Sequence, residues 1–294
     1  MPGWTADDNE WVSDLLAAYD SQLREAAEVA SAVRSDRDGP LLRALFDGDA
    51  GFVTYRTLEG FDGPGDGALL DALIARTVTY FETQTSATSF EWKTRGRDLP
   101  ADLGSRLERH GLVPDDVETV MVGDVGLLAV GGPPPAGVTV RRVDADADGT
   151  PHAPSRVRAD LSLMLAMQSE AFGVDRQSTL DSLEARVRDE VDTVEVWVAE
   201  FVPANGAPPQ IVCAGRLEIV PGTDFAGLWG GATSAEWRGR GIYRALTAAR
   251  ARSAHARGVR YLQSDCTGFS RPILERAGLV AITTTTPYVW RRDH

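Results

Sequence analysis

The segment from Trp229 to Arg250 holds the residues whose types and spacing are best suited to chemistry. An apolar stretch leads into the basic, glycine-rich sequence Arg238-Gly-Arg-Gly-Ile-Tyr-Arg244, and a helical stretch follows at once. Backbone N–H groups at a helix N-terminus bind phosphates, and fixed positive charge beside them favours the same ligand. Gly239 and Gly241 permit positive φ angles and close approach of a ligand to the backbone. The segment therefore predicts a turn that binds a diphosphate.

Other interpretations of this turn fit less well. It contains no Gly-Lys-Ser/Thr, and it lacks both the glycine spacing and the downstream acidic residue of a dinucleotide-binding turn. A single Arg-Gly-Arg-Gly on a chain of net charge −13 argues against nucleic acid as a partner. A solvated basic loop without a ligand is the remaining alternative.

The composition is that of a globular protein without membrane spans. A length of 294 residues predicts about two domains, and no apolar run approaches the roughly 20 residues of a membrane span. The N-terminus lacks the features of a signal peptide, so we expect a cytoplasmic protein with no membrane partner. Cys213 and Cys266 lie in apolar runs and are expected to be buried, and the four histidines lack metal-ligand spacing. The acidic surface favours cationic partners such as amines.

A repeat indicates the architecture. Leu107-Glu-Arg-His-Gly-Leu-Val113 recurs as Leu274-Glu-Arg-Ala-Gly-Leu-Val280, 274 − 107 = 167 positions later. The same order of helix, strand, repeat helix and strand surrounds each copy: residues 69–82, 89–94 and 117–122 in the first, and residues 242–256, 260–265 and 284–290 in the second. A repeat of this length predicts duplicated domains.

The sequence Gly131-Gly-Pro-Pro-Pro-Ala-Gly137 predicts the linker between the domains, because it continues neither a helix nor a central strand. We therefore predict domains at residues 1–130 and 138–294. The second is predicted to follow the order β-α-α-β-β-β-α-β-α-β, with the strand 225–233 before the basic turn. The first is predicted to open with a long helix at 7–33, a short helix at 40–46 and a strand at 51–58.

The turn at residues 59–67 occupies the place of the basic turn in the first domain. Its glycines are retained, but Asp62 and Asp66 stand where the second copy has arginines. Carboxylates repel a diphosphate, so the first copy is predicted to be degenerate and not to bind the same ligand.

The second half resembles the GNAT superfamily of acyl-CoA-dependent N-acyltransferases. The resemblance rests on Arg238-Gly-Arg-Gly-Ile-Tyr243 against that family's Arg/Gln-x-x-Gly-x-Gly/Ala turn, and on the helix Ser270 to Leu279 with Leu279 in the Phe position of the family's Gly-Phe ending. It covers residues 138–294 well, and residues 50–130 resemble a decayed second half. It implies an α/β (α+β) fold of two tandem GNAT-like domains, each with a mixed central sheet flanked by helices.

The resemblance also implies a site for acetyl-CoA, with coenzyme A as product. Backbone amides of the turn would hold the diphosphate, the strand end would pair with pantetheine, and the start of the last helix would lie along the other side. An N–H near Thr233 would polarise the thioester carbonyl. The implied cofactor-binding residues are Gly231, Ala232, Thr233, Arg238, Gly239, Arg240, Gly241, Ile242, Tyr243, Arg244, Thr267 and Ser270.

Two positions depart from the family pattern. Tyr243 replaces a small residue, so its ring must point away from the phosphates or stack nearby. Leu274 stands where the family has a tyrosine general acid, which leaves Ser270, Tyr288, a water molecule or no acid at all to protonate the leaving thiolate.

A general base should have a pKa near the working pH. The family often places a carboxylate on the strand before the turn, and residues 225–233 contain none. The remaining candidates are Asp265 at the end of a strand, Glu218 on a neighbouring strand and Glu170 at the end of the first helix of the second domain.

Two functions are open at this stage. The first is transfer of an acetyl group from acetyl-CoA to a primary amine of a small molecule or peptide, by direct attack in a ternary complex. The second is a non-catalytic acyl-CoA-binding or regulatory protein, which Leu274 and the missing strand carboxylate motivate. Either is compatible with a monomer or a homodimer.

Overall fold

The structure is a computed structural model that describes residues 6–61, 63, 65–268 and 270–292. Its chain divides into two compact units. The first contains Met1–Met121, Asp265–Pro272 and Ala281–His294, and the second contains Val122–Ser264 and Ile273–Val280. The sequence-based domains, 1–130 and 138–294, are a different division, and they stay a prediction.

The first unit is built on a mixed sheet. Its elements are α1 (Ala6–Gln22), β1 (Arg34–Asp38), β2 (Leu41–Phe46), β3 (Ala50–Thr54), α2 (Gly67–Gln84), β4 (Ser89–Arg95), α3 (Leu103–Arg109), β5 (Val113–Pro114), the start of β6 (Glu118–Asp124) and most of β12 (Val280–Arg291). The sheet order is β1-β2-β3-β4-β12. β3 and β4 are parallel, whereas the other neighbours are antiparallel.

Two of the predictions for this unit were wrong. The helix predicted at 7–33 ends at Gln22, and Glu25 has a φ of 57° that no continuing helix allows. The helix predicted at 40–46 is the strand β2, because Leu41-Leu-Arg-Ala-Leu-Phe46 pairs with β1 on one side and β3 on the other. These leucines and alanine are good helix formers, but pairing in the sheet overrides local propensity.

The second unit continues with α4 (Val125–Ala129), β7 (Val138–Arg142), α5 (Pro154–Phe172), α6 (Leu180–Asp189), β8 (Val194–Phe201), β9 (Gln210–Ile219), β10 (Phe225–Thr233), α7 (Ile242–Ala256), most of β11 (Tyr261–Cys266) and most of α8 (Arg271–Ala277). From β7 to β12 the order of elements is the predicted one. β7, β8, β9 and β10 form an antiparallel series, and β11 adds parallel to β10.

The two faces of this sheet carry different helices. Alternate residues of a strand point to opposite faces. Val196, Val198 and Ala214 pack with α5 and α6, whereas Ala199 and Cys213 pack with the start of α7. α7 contains six alanines and three arginines, which are strong helix formers, and the small alanine side chains allow close packing on the sheet.

The repeat adopts the same local structure twice. In each copy a leucine carbonyl at the helix end accepts from the backbone N–H five residues later: Leu112 to Leu107 and Leu279 to Leu274, both at 3.1 Å. The intervening glycine has positive φ each time, 85° at Gly111 and 108° at Gly278. A left-handed glycine is the usual end of a helix, which explains why the glycine is retained in both copies.

Cys213 and Cys266 are buried free thiols, as predicted. Burial raises the pKa of the Cys213 thiol to about 11, so it stays protonated at neutral pH. None of the described helices is long and apolar enough to cross a membrane.

Candidate functional site

The basic turn joins β10 to α7, as the sequence predicts. Gly239 and Gly241 both adopt positive φ, at 74° and 79°. Gly241 stands at the N-cap of α7 without a side-chain cap, and the first helical hydrogen bond runs from the Ala245 N–H to the Gly241 carbonyl at 3.1 Å. The four N–H groups from Gly241 to Arg244 therefore have no acceptor within the helix. Together with the helix dipole, they can bind an anion.

The arginines of the turn are exposed to solvent. Arg238 donates to the carbonyl of Thr233 at 3.2 Å, which ties the turn to the end of β10. The Arg240 guanidinium lies 4.7 Å from the centre of the Trp237 ring. The side chains of Arg238, Arg240 and Arg244 thus supply positive charge at the open end of the helix.

Tyr243, at the start of α7, packs against β10. A Cβ atom at Gly231 would lie 2.6 Å from its hydroxyl and 2.8 Å from its ring. Only a glycine at position 231 leaves room for this ring. The departure from the family pattern at Tyr243 is therefore matched by a glycine on the facing strand.

The strand end at Gly231–Thr233 lies beyond a β-bulge. Trp229 pairs with Arg216 and Ala232 pairs with Ala214, so Gly230 and Gly231 both stand opposite one residue of β9. On its other side β10 pairs with β11 at only three positions within the described residues, the last being Gly227 with Gln263. Beyond Gly227 the Ser264 hydroxyl of β11 still donates to the Leu228 carbonyl at 3.0 Å, and Ala232 and Thr233 are paired with β9.

The other predicted cofactor residues belong to the first unit. Thr267 is exposed, and its carbonyl accepts from the N–H groups of Ser270 and Arg271 at 3.0 and 3.1 Å.

Tyr288, a candidate to protonate the leaving thiolate, also belongs to the first unit. Its hydroxyl lies against Gly104 of α3, and burial raises its pKa above the ordinary value. Leu274, in the second unit, is 1% exposed.

The turn of the first unit differs from the basic turn in charge. Asp66 occupies the N-cap of α2, and its carboxylate accepts from the Gly63 N–H at 3.0 Å. Asp62, the second predicted carboxylate of this turn, lies outside the described residues. The degeneracy of this copy stays a prediction.

Asp265 forms a buried ion pair. Its carboxylate lies 2.8 Å from the Lys93 ammonium, with 4% and 17% of the two side chains exposed. Burial alone would lower the pKa of Lys93, but the charge of Asp265 outweighs it and raises that pKa above its ordinary value. Asp265 therefore has a structural role that its sequence position does not reveal.

Glu218 is paired with two arginines on the α6 side of the sheet. Its carboxylate accepts from Arg186 at 3.0 Å and from Arg216 at 2.8 Å. Burial favours the neutral acid, but Arg186 and Arg216 outweigh it and lower the pKa of Glu218 below its ordinary value. It pairs with Gly227 in the β9–β10 register. At about 3.3 Å per residue, this places it some four residues, or about 13 Å, from Gly231.

These contacts predict the effect of Glu218→Gln. A carboxyl whose folded pKa is lowered stabilises the native state above its unfolded pKa, and the effect is lost as the pH falls through the folded pKa. We expect a loss of about 1 kcal/mol at neutral pH, which disappears in acid as the pH falls through the lowered pKa of Glu218. Urea unfolding at both pH values checks this. An equal loss at both would contradict the ion-pair explanation.

Glu170, the third candidate base, is exposed on α5.

Two other carboxylates of the first unit, which the sequence analysis did not single out, have raised pKa values, with burial as the main cause: Glu91 on β4 and Glu118 on β6. The sequence carries no signal for Glu91, since a carboxylate that alternates with Phe90 and Trp92 in a strand is expected on the solvent-facing side. Gln168 was also missed. It lies on the same face of α5 as Leu161, Met164 and Leu165, and a glutamine among apolar residues on one helix face was the signal that could have indicated it.

Comparison with known proteins identifies the fold. No protein-family model and no curated protein matches the sequence. Solved structures do match: a GCN5-related N-acetyltransferase from Kribbella flavida has a TM-score of 0.64 at 16% identity, over 96% of both chains. A tandem GNAT protein from the clavulanic acid biosynthesis pathway has a TM-score of 0.57 at 15% identity, over 98% of this chain and 97% of that one. A GCN5-related N-acetyltransferase from Sphaerobacter thermophilus has a TM-score of 0.54 at 17% identity, over 86% and 76%.

The chain has the GNAT fold, in the tandem form. The predicted fold class, a mixed sheet flanked by helices in two GNAT-like domains, is confirmed. At these identities the similarity concerns the fold, and the residues of the site must carry any argument about activity.

Proposed function

We propose that this protein is an acyl-CoA-dependent N-acyltransferase that transfers an acetyl group from acetyl-CoA to a primary amine of a small molecule or peptide. Residues 138–294 would form the catalytic domain, and residues 1–130 a degenerate copy without its own cofactor. The observation that carries the proposal is the uncapped start of α7 with exposed arginines beside it.

The donor set of the turn fits a diphosphate. Four N–H groups without helical acceptors point out of the helix start, and a Cβ built at Gly239 meets no atom within 4 Å. Arg238, Arg240 and Arg244 add positive charge around this space. Backbone donors and arginine together match the charge and the acceptor oxygens of a diphosphate.

The strand Gly231–Thr233 would hold the pantetheine arm of the same ligand. Among the described residues its backbone has no ladder pairing with β11, so this edge can meet an extended ligand. The Thr233 side chain already donates to the Cys213 sulfur at 3.2 Å and its carbonyl already accepts from Arg238 at 3.2 Å, so the proposed contribution of this residue is its backbone N–H. Thr267 and Ser270 stay proposed contacts of the cofactor arm.

When bound, acetyl-CoA supplies an acyl group activated as a thioester. The residues of this chain then have to orient the amine and accept its proton. Among the proposed bases, Asp265 and Glu218 are ion-paired and Glu170 is exposed. A carboxylate with a lowered pKa, such as Glu218, is a weak base at neutral pH. We therefore expect catalysis to rest mainly on positioning, with a water molecule carrying the proton away from the amine.

One observation favours the second candidate function, an acyl-CoA-binding protein without turnover. The buried Leu274 leaves no hydroxyl at the family's tyrosine position. This absence is compatible with transfer as well, because a thiolate leaves without protonation more readily than an alkoxide or amide.

The two functions separate in one experiment. Binding of acetyl-CoA is measured by calorimetry, and release of free thiol is followed with a panel of polyamines, aminoglycosides, amino acids and peptide N-termini. We expect saturable binding together with amine-dependent thiol release. Binding without release on any amine would favour the non-catalytic alternative, and absence of binding would overturn the proposal.

A further inference from the structure

The β-bulge of β10 contains a backbone carbonyl, that of Gly230, that accepts a hydrogen bond from a side chain. A bulge interrupts the ladder, because two residues of one strand oppose one of the other. Here Gly230 and Gly231 oppose Gly215 alone. Buried carbonyls without a donor are costly, so the groups that satisfy them reveal what holds the bulge in shape.

Gln168 reaches the bulge from α5. Its side chain is fully buried, and its amide nitrogen donates to the Gly230 carbonyl at 2.6 Å. The amide oxygen of the same side chain is buried without a hydrogen-bond partner within the described part of the chain. An apolar residue here would avoid this orphaned oxygen. The donor to Gly230 is therefore the feature that a glutamine provides and a leucine or methionine does not.

Arg250 reaches the same place from α7, on the opposite face of the sheet. It is fully buried and donates to the Arg216 carbonyl of β9 at 3.0 Å. A Cβ at Gly215, the residue facing the bulge, would lie 2.6 Å from its guanidinium. Within the described residues no carboxylate lies within 4.0 Å of it. A buried charge without an ion-pair partner is rare and indicates a specific requirement.

We propose that Gln168 and Arg250 are positioning residues that fix the bulge of β10 from its two faces and so hold the strand end Gly231–Thr233 in the shape that receives acyl-CoA. The inference rests on the proposed function for its ligand. Its structural part, that these two side chains fix the bulge, stands on the contacts alone. Neither residue touches the proposed ligand; both act through the backbone of the two strands.

The test replaces Gln168 with methionine and with glutamate in the full chain. Gln168→Met keeps the length of the side chain but leaves the Gly230 carbonyl without a donor, so we expect acetyl-CoA to bind about 10-fold more weakly. Gln177→Met is the matched control. Gln177 also donates its amide to a backbone carbonyl, that of Ser162 at 2.8 Å, but away from the bulge. It should change the dissociation constant less than about twofold.

Gln168→Glu gives a signature that a general loss of packing does not. At high pH a carboxylate would face the Gly230 carbonyl, and two acceptors repel. Burial raises the pKa of a glutamate; the Arg216 guanidinium, which lies 3.2 Å from the Cβ position of Gly230, opposes this rise but is already paired with Glu218. Once protonated, the glutamate can donate to Gly230 as the amide does. The ratio of the dissociation constants of Gln168→Glu and Gln177→Glu should therefore fall about fivefold or more between about pH 8 and about pH 6.

Hydrogen exchange of residues 228–234, measured without ligand, separates this inference from the proposed function. We expect exchange in Gln168→Met to be about fivefold or more faster than in Gln177→Met, because ladder bonds beside the bulge open more often. If the exchange difference is present but the wild type does not bind acetyl-CoA, the proposed function is overturned, whereas the inference that Gln168 fixes the bulge stands. Equal exchange in the two variants, or a pH-independent ratio, would overturn the inference whatever the wild type binds.

Discussion

The double variant Arg240→Ala/Arg244→Ala is expected to bind coenzyme A about 100-fold more weakly than the wild type, with an unchanged fold. Both side chains are exposed on the turn, so their removal creates no cavity. A charge-assisted hydrogen bond to a phosphate contributes about 1.5 kcal/mol, or roughly tenfold in affinity, for each arginine. Titration calorimetry with coenzyme A measures the loss.

Arg156→Ala is the matched control for this prediction. Arg156 is an exposed arginine near the start of α5, in the same unit, and its loss changes the net charge without changing the turn. The affinity should stay within about twofold of the wild type. The wild-type affinity should also fall with added salt more steeply than that of the double variant. Equal affinity of the double variant and Arg156→Ala would place the diphosphate elsewhere.

Gly241→Val tests the backbone of the same turn. Gly241 has a φ of 79°, which a β-branched residue adopts only with strain. The substitution should displace the N–H groups at the start of α7. Relative to the wild type, we expect coenzyme A to bind Gly241→Val about tenfold or more weakly, about the effect of one lost hydrogen bond to a charged group. Unchanged affinity would show that the helix start is not the binding element.

The sequence predicted the turn and its neighbours because their signals are local. The strand 225–233 and the helix 242–256 were predicted with the bounds that the structure gives them. Glycines at the two positions of positive φ, the alanine-rich helix and the apolar strand all agree with one another. Where local propensity and tertiary structure agree in this way, a sequence pattern is sufficient.

Prediction failed where distant contacts decide the structure. β2 consists of helix-forming residues and is a strand because β1 and β3 lie on either side of it. The helix predicted to reach Val33 stops at Gln22, and the buried Arg24 just beyond it donates to the Tyr55 carbonyl. The partner strand β3 and the acceptor carbonyl of Tyr55 both lie outside residues 7–46.

The same limit applies to the site. Gln168 and Gly230 are 62 residues apart, and Lys93 and Asp265 are 172 apart. From the sequence, Asp265 was therefore a candidate base at the end of a strand, and nothing nearby in the sequence indicated that Lys93 is its ion-pair partner. The charge of that partner changes what the carboxylate can do, because a base that accepts a proton must give up the ion pair.

Asp265→Asn is expected to destabilise the protein by about 3 kcal/mol, since it leaves the Lys93 ammonium buried without its counter-charge. The pKa of Lys93 is raised in the folded state, so this pair stabilises the protein fully below the ordinary lysine pKa of 10.5 and loses its effect only as the pH rises through the folded pKa. Neutral pH is therefore a suitable condition, and urea unfolding gives the free energy. Asp189→Asn removes an exposed, ion-paired aspartate and should leave the unfolding curve unchanged.

Lys93→Met/Asp265→Asn separates the structural role of Asp265 from a role as base. Removal of both charges should restore most of the stability lost in Asp265→Asn, because no unpaired charge stays buried. If Asp265 serves only the ion pair, turnover of acetyl-CoA with an accepted amine should return with the stability. If Asp265 is the base, the double variant should be stable and still lose about 100-fold in kcat. Stability that does not return in the double variant would contradict the ion-pair explanation, because the loss in Asp265→Asn would then come from something other than the stranded Lys93 charge.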